Sequence, residues 1–201
     1  GQRLLLSLSR LEAVKGLDLL IAAWAAVAKR FPDWHLVIAG PDERGTEARL
    51  REQVSRVGLE ARVTFSGPLF GAARRDAMAA AELFVLPSRS ENFAITVAEA
   101  ACMGKPVLTT RGTPWHGLVD RRAGWWVPVS VAALTEALSE ALSLDAGTLS
   151  EMGTRGRQWV AAEFTWPRIC RQWLDVYAWV RGQAPGPVCV QAADTGARRP
   201  R

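Results

Sequence analysis

Residues 82–106 read ELFVLPSRSENFAITVAEAACMGKP. Leu83 to Leu86 is a short apolar run closed by Pro87 and Ser88, the pattern of a buried strand that ends in a loop. From Phe93, apolar residues recur at Phe93, Ile95, Val97, Ala98, Ala101 and Cys102, as in a largely buried helix. Gly104 stands where a helix takes its C′ residue, and Pro106 prevents continuation. Ser88, Arg89, Ser90 and Glu91 therefore occupy a strand-to-helix loop. In an open α/β sheet, ligands bind where strand C-terminal ends meet helix N-termini. The first amides of such a helix, here about Phe93 to Ile95, lack intrahelical partners and carry partial positive charge, which suits an anionic ligand.

Glu91 and Glu99 bracket this turn with seven residues between them. The spacing alone says little, because Glu52 and Glu60 repeat it in an ordinary polar stretch. Position separates the two cases. Glu91 sits at the strand-helix junction, and Glu99 would lie roughly 12 Å further along if every intervening residue were helical. Two carboxylates so placed fit a long ligand with hydroxyls at both ends and phosphates between. They equally fit a carboxylate near a helix start and a solvated one on its surface.

ENFAITVAE, preceded by LFVLPS and followed by GKPVLTT, resembles the E-x7-E signature of the family-four retaining glycosyltransferases, which have the two-Rossmann-domain architecture called GT-B. The resemblance runs from the first strand to Phe164-Thr165-Trp166 and corresponds to the second of the two domains. It implies that Glu91 faces the donor sugar and Glu99 the ribose hydroxyls. Ser88 and the segment Asn92, Phe93, Ala94 and Ile95 then line the donor site. The family's signature carries Gly where Asn92 and Ala94 stand here, and the Ala94 methyl would restrict the donor's approach. Arg10, Lys15 and Gly16 match the family's R-x4-K-G stretch, in which the two cations grip the donor diphosphate. Arg offers a planar fork and Lys a compact charge for that purpose. Gly40 and Gly67 match loop landmarks that flank the nucleotide base, and both also read as turn glycines.

Length and composition agree with one substantial domain: 201 residues, 49% hydrophobic, with a net charge of +5 carried by 22 Arg and 3 Lys. No apolar run approaches the roughly 20 residues of a membrane span. No basic-then-apolar leader opens the chain, and the start at Gly1 suggests a processed or excised chain. No aromatic-basic stripe of the kind single-strand binders use occurs, so nucleic acid is not expected as a partner. Cys102, Cys170 and Cys189 form no metal spacing. Cys102 and Cys170 read as small core residues, in keeping with a reducing cytoplasm, and the resemblance implies a peripheral place at the inner membrane face if the full enzyme uses a lipid-linked acceptor. Neither G-x-G-x-x-G after the first strand nor G-x-x-x-x-G-K-[ST] is present, which disfavours dehydrogenases and P-loop enzymes. No D-x-D occurs, in agreement with metal-independent transfer.

The pattern predicts strands at Arg3–Leu8, Trp34–Ala39, Arg62–Phe65, Leu83–Leu86, Pro106–Thr109 and Gly124–Val129. Helices are expected near 17–30, 46–57, 72–80, 93–102, 131–142, 149–163 and 168–180, with Ser130 and Thr165 as N-caps. The result is an α/β fold: a doubly wound, mostly parallel, six-stranded Rossmann-like sheet over residues 1–182, which the resemblance implies is one half of a GT-B architecture, and a disordered tail over 183–201. In Arg111 to Val119, RGTPWHGLV, Gly112 and Thr113 stand in for the family's Gly-rich turn and His116 for its Glu. Trp115 and His116 read equally as sugar-pocket walls or as packing and surface residues. The apolar stripe of the last helix would leave a patch that favours self-association.

The resemblance implies an enzyme, or its donor-binding half, that takes a nucleotide-diphosphate sugar (UDP-, GDP- or ADP-linked) without a cofactor or metal. Configuration would be retained, with a role in envelope or exopolysaccharide synthesis. The acceptor site and the other wall of the cleft would come from a missing N-terminal domain. Phosphorylase and epimerase relatives share the architecture and remain alternatives, as does a binding module inactive by itself.

Overall fold

The computed structural model describes residues 2–190. Six strands form one sheet in the order β3-β2-β1-β4-β5-β6, with every neighbouring pair parallel. They are β1 (Arg3–Leu8), β2 (Trp34–Ala39), β3 (Val63–Gly67), β4 (Leu83–Leu86), β5 (Val107–Thr110) and β6 (Gly124–Val127). The helices are α1 (Leu17–Val27), α2 (Thr46–Arg56), α3 (Gly71–Ala80), α4 (Ile95–Cys102), α5 (Gly117–Asp120), α6 (Val131–Ser143), α7 (Ala146–Glu163) and α8 (Trp166–Val180). The fold is α/β and Rossmann-like.

Strands covered on both faces need continuous rather than alternating apolar character. All four residues of β4 are buried, and so are all four of β5. Leu20, Ile21, Trp24 and Val27 of α1 are fully buried against Leu5, Leu36 and Ile38 of the sheet and against Leu134 and Leu138 of α6. The chain runs outward from β1 to β3, then crosses back to β4 on the other side of β1. The strand order therefore reverses between β1 and β4, whose pairing is short: Leu5 with Leu83 and Leu6 with Phe84. A crevice outside the C-terminal ends of the strands opens where the order reverses.

Most expected elements are found, with differences at their ends. The Ser130 hydroxyl accepts from the Ala133 amide at 3.2 Å as an N-cap. Thr165 holds the corresponding position before α8 but makes no side-chain cap bond. α7 starts at Ala146 rather than near Leu149, because the Asp145 carboxylate accepts from the Thr148 amide at 2.9 Å and from its hydroxyl at 2.8 Å. The short helix α5 was not expected. Cys102 and Cys170 are exposed, not core residues: α4 buries Val97, Ala100 and Ala101 instead, and α8 buries none of its residues.

The chain divides into two compact units, one ending at Val160 and the other beginning at Ala161. In the second unit, α8 exposes Trp166, Trp173, Leu174, Tyr177 and Val180. The expected disordered segment lies outside the described residues from 191 onward; residues 183–190 are irregular apart from a turn in which the Val190 amide donates to the Pro187 carbonyl at 2.9 Å. Among the described residues, no helix is long and apolar enough to cross a membrane.

Candidate functional site

Two loops meet at the point of reversal. The first leaves β1 through Ser9 and Arg10, makes a turn at Ala13–Lys15 and enters α1 through Gly16. A Cβ on Gly16 would lie 2.2 Å from the Pro87 carbonyl oxygen, so this loop and the one after β4 are in backbone contact. The second loop is tied to the first by the Arg89 amide, which donates to the Val14 carbonyl at 2.7 Å. The Arg89 guanidinium also donates to the Ala13 carbonyl at 2.7 Å and to both oxygens of Asp18 at 2.8 and 2.7 Å. That hydrogen bond holds the Asp18 carboxyl below its ordinary range and raises Arg89 in turn.

Glu91 is fixed from three sides. Its amide donates to the Gly112 carbonyl at 2.8 Å. One carboxylate oxygen, Oε1, accepts from the Lys15 ammonium at 2.6 Å and from the buried Ser88 hydroxyl at 2.7 Å. The other, Oε2, takes no protein hydrogen bond among the described residues. The Ser88 carbonyl accepts from the Thr110 hydroxyl, and a Cβ on Gly112 would meet that same carbonyl oxygen at 2.4 Å. Loop β4–α4 is thus wedged between its neighbours on β1 and β5.

The loops enclose a cavity of about 550 Å³, lined by Ser9, Arg10, Val14 and Lys15 on one side and by residues 90–96 on the other. Ala94 enters α4 at φ 65° and ψ 69°, left-handed backbone that residues with a Cβ rarely adopt. Gly is the residue expected there from the resemblance. Phe93 and Ile95 are 38% and 66% exposed, so the cavity wall is apolar beside the cations. An apolar wall with a few convergent charges and helix-start amides suits an elongated anionic ligand.

The structure brings Arg10, Lys15, Glu91, Asn92, Phe93, Ala94 and Ile95 together around this cavity, with Ser88, Gly112 and Thr113 beneath or beside its loop. Glu99 does not line it; its carboxylate pairs with Arg74 of α3. Gly40 and Gly67 stand outside too. The Gly40 amide donates to the Gly67 carbonyl at 2.9 Å, and a Cβ on Gly40 would meet the Ser9 carbonyl oxygen at 1.8 Å, so Gly40 supports the β1 loop from the side. Trp115 is buried behind the cavity, its indole N–H donating to the Phe93 carbonyl and its ring 5.1 Å from that of Phe93. His116 is exposed and outside the lining. Ser9, Val14, Ser90 and Thr96 line the cavity without having been expected there, and Arg74 was not foreseen as the partner of Glu99. Arg89 and Asp18 line a second cavity, of about 610 Å³, between α1 and α2. Among the described residues, no group of three or more His, Cys, Asp or Glu side chains could hold a metal ion.

Residues 1–159 match the family described as glycosyl transferases group 1. A mannosylfructose-phosphate synthase of Agrobacterium fabrum is 34% identical over 200 residues, covering 94% of this chain and 43% of that protein. A solved sucrose-phosphate synthase from Thermosynechococcus elongatus superposes with a TM-score of 0.75 at 28% identity, over 91% of this chain and 46% of the other. Anabaena HepE, solved in complex with UDP and glucose, gives a TM-score of 0.75 at 25% identity, over 88% and 48%. The chain spans less than half the length of each of these three.

Proposed function

The chain belongs to the glycosyl transferases group 1 family, and on that premise we propose that it is the donor-binding half of a GT-B glycosyltransferase, holding a nucleotide-diphosphate sugar in the cavity between the β1 and β4 loops. The observation that carries this reading is the convergence of Arg10, Lys15, Glu91 and the start of α4 around one cavity at the reversal of strand order.

Arg10 and Lys15 neutralise the diphosphate leaving group as the bond from the anomeric carbon to its oxygen breaks, and the first amides of α4 add donors. Fixed positive charge placed where negative charge develops is commonly the largest catalytic contribution. Glu91 uses its unoccupied oxygen to accept from sugar hydroxyls, with Ser88 and Lys15 holding the carboxylate. Glu99 leaves Arg74 to accept from the ribose. Gly40 and Gly67 shape the loops on the nucleotide side, and Gly112 and Thr113 hold the β5 loop under Glu91. Binding of UDP and glucose by the Anabaena relative supports a nucleotide sugar as ligand. Retention of configuration, independence of metal, an envelope or exopolysaccharide product and a place at the cytoplasmic face belong to the same reading.

The chain's span of 43% of the Agrobacterium protein supports a second statement: transfer needs an N-terminal domain that supplies the acceptor site. Calorimetric titration with UDP, GDP and ADP in the presence of a chelator tests the first statement. One nucleotide should bind, and Lys15→Ala and Glu99→Ala should each weaken it about tenfold or more. If all three nucleotides fail to bind at millimolar concentration, both alone and with a co-expressed N-terminal domain, the reading is wrong.

A further inference from the structure

The loop after β5 carries a second pair of basic side chains that the diphosphate leaves unused. The Arg111 amide donates to the Val127 carbonyl at 2.7 Å, and its guanidinium lies over the Trp126 ring, 5.5 Å from the centroid. Trp126 is itself anchored by its indole N–H, which donates to the Thr113 carbonyl at 2.8 Å. The His116 ring stands edge-on to the same indole, with centroids 6.1 Å apart and planes inclined by 67°. Arg111 and His116 are exposed, and neither has an acidic partner among the described residues.

Two contacts join this cluster to the cavity. The Gly112 carbonyl accepts the Glu91 amide at 2.8 Å, and Trp115 donates to the Phe93 carbonyl. The strand order places the β4 loop, with Glu91, between the β1 loop that carries Arg10 and Lys15 and the β5 loop that carries Arg111 and His116. A diphosphate satisfies the first pair. A neutral sugar beyond Glu91 offers nothing to the second, whose guanidinium is preorganised on an aromatic ring at the ligand-binding edge.

On the donor-site reading, we infer that Arg111 and His116, mounted on Trp126, form a second anion subsite for a carboxylate or phosphate carried beyond the anomeric carbon. The group belongs either to the donor sugar or to the acceptor. Arg111 meets it with two N–H donors and His116 with a ring N–H.

The test uses the whole nitrogen-labelled chain titrated with inorganic phosphate while the Trp126 indole resonance is followed. A saturable shift is expected, with half-saturation raised at least about fivefold in Arg111→Gln and in His116→Gln. No saturable shift, or one unchanged in Arg111→Gln, overturns the subsite. Two calorimetric comparisons identify the source: a uronic-acid nucleotide against its neutral hexose counterpart, and a hexose phosphate against free hexose on the UDP-saturated chain. A preference for the charged compound that Arg111→Gln abolishes names the donor or the acceptor. Equal binding of charged and neutral compounds in both comparisons overturns assignment to a substrate. Failure of every nucleotide to bind removes the donor-site reading, yet the phosphate titration at Trp126 still decides the subsite.

Discussion

At the scale of single residues, Ala94 and the Lys15–Glu91 pair carry the sharpest consequences. Left-handed backbone costs a residue with a Cβ roughly 1–2 kcal/mol, and Ala94 adopts it at φ 65°. Ala94→Gly removes that cost and returns part of it as chain entropy, so it should stabilise the fold by about 0.5–1 kcal/mol. The measurement is a denaturant midpoint at unchanged slope. A lower midpoint would mean that the buried methyl contributes packing exceeding the strain. Lys15 and Glu91 are only 15% and 13% exposed, so Lys15→Met, which strips one partner from a largely buried pair, should destabilise by about 1–3 kcal/mol. In a double-mutant cycle with Glu91→Gln the losses should fall short of additive by about 1 kcal/mol; strict additivity would show that the pair does not form in solution. Arg10, Lys15 and Glu91 were legible beforehand because charged residues in strand-to-helix loops stand at the ligand edge of an α/β sheet. Their pairing was not, since 76 residues separate Lys15 from Glu91 and no periodicity spans that gap. Arg74 gave no signal for the same reason: a cation on a polar helix face looks like any other until α4 packs beside it.

At the scale of elements, the site depends on how closely two loops approach. Gly16→Ala combines left-handed backbone with a Cβ 2.2 Å from the Pro87 oxygen, so it should destabilise by roughly 2–5 kcal/mol. Gly45, also left-handed at φ 67° but with nothing near its missing Cβ, serves as the control; Gly45→Ala should cost only about 1 kcal/mol. Equal losses at the two positions would argue against the loop contact. The Arg89–Asp18 clamp adds a pH dependence. Asp18 has a folded pKa below its ordinary value of 3.8, through its hydrogen bond from Arg89. Its contribution is therefore fully present above that ordinary value and is lost as pH falls through the lower folded one. With both side chains more than a third exposed, the contribution is under about 1 kcal/mol. The stability difference between the wild type and Asp18→Asn should hold constant from pH 7 to about 5 and narrow as pH falls below 3.8. A difference that does not narrow as pH falls below 3.8 would assign the effect to something other than the carboxylate. The strands were legible because double burial writes them as unbroken apolar runs. Helix ends were less so: Asp145 caps α7 from outside the apolar period, and α5 is too short to show one.

At the scale of the whole molecule, the donor-binding proposal predicts that saturation by the preferred nucleoside diphosphate at about a hundred times Kd stabilises the fold by about 2.7 kcal/mol. For a chain of this size that corresponds to a Tm increase of roughly 5–10 °C, followed by scanning fluorimetry. No increase despite calorimetric binding would mean that the unfolded chain binds equally well. The parallel, doubly wound sheet was foreseeable from strands alternating with helices and from the resemblance; that its order reverses between β1 and β4 in particular was not written in any local pattern. That reversal also decides how the molecule comes apart and together. Everything up to β3 carries Arg10 and Lys15, and everything from α3 onward carries Glu91 and the start of α4. A cut in the exposed connection near Pro68 would leave two fragments, each with one half of the site. Nucleotide recognition would then be a property of their reunion, and two proteins fused to those fragments would report their own meeting by restoring it.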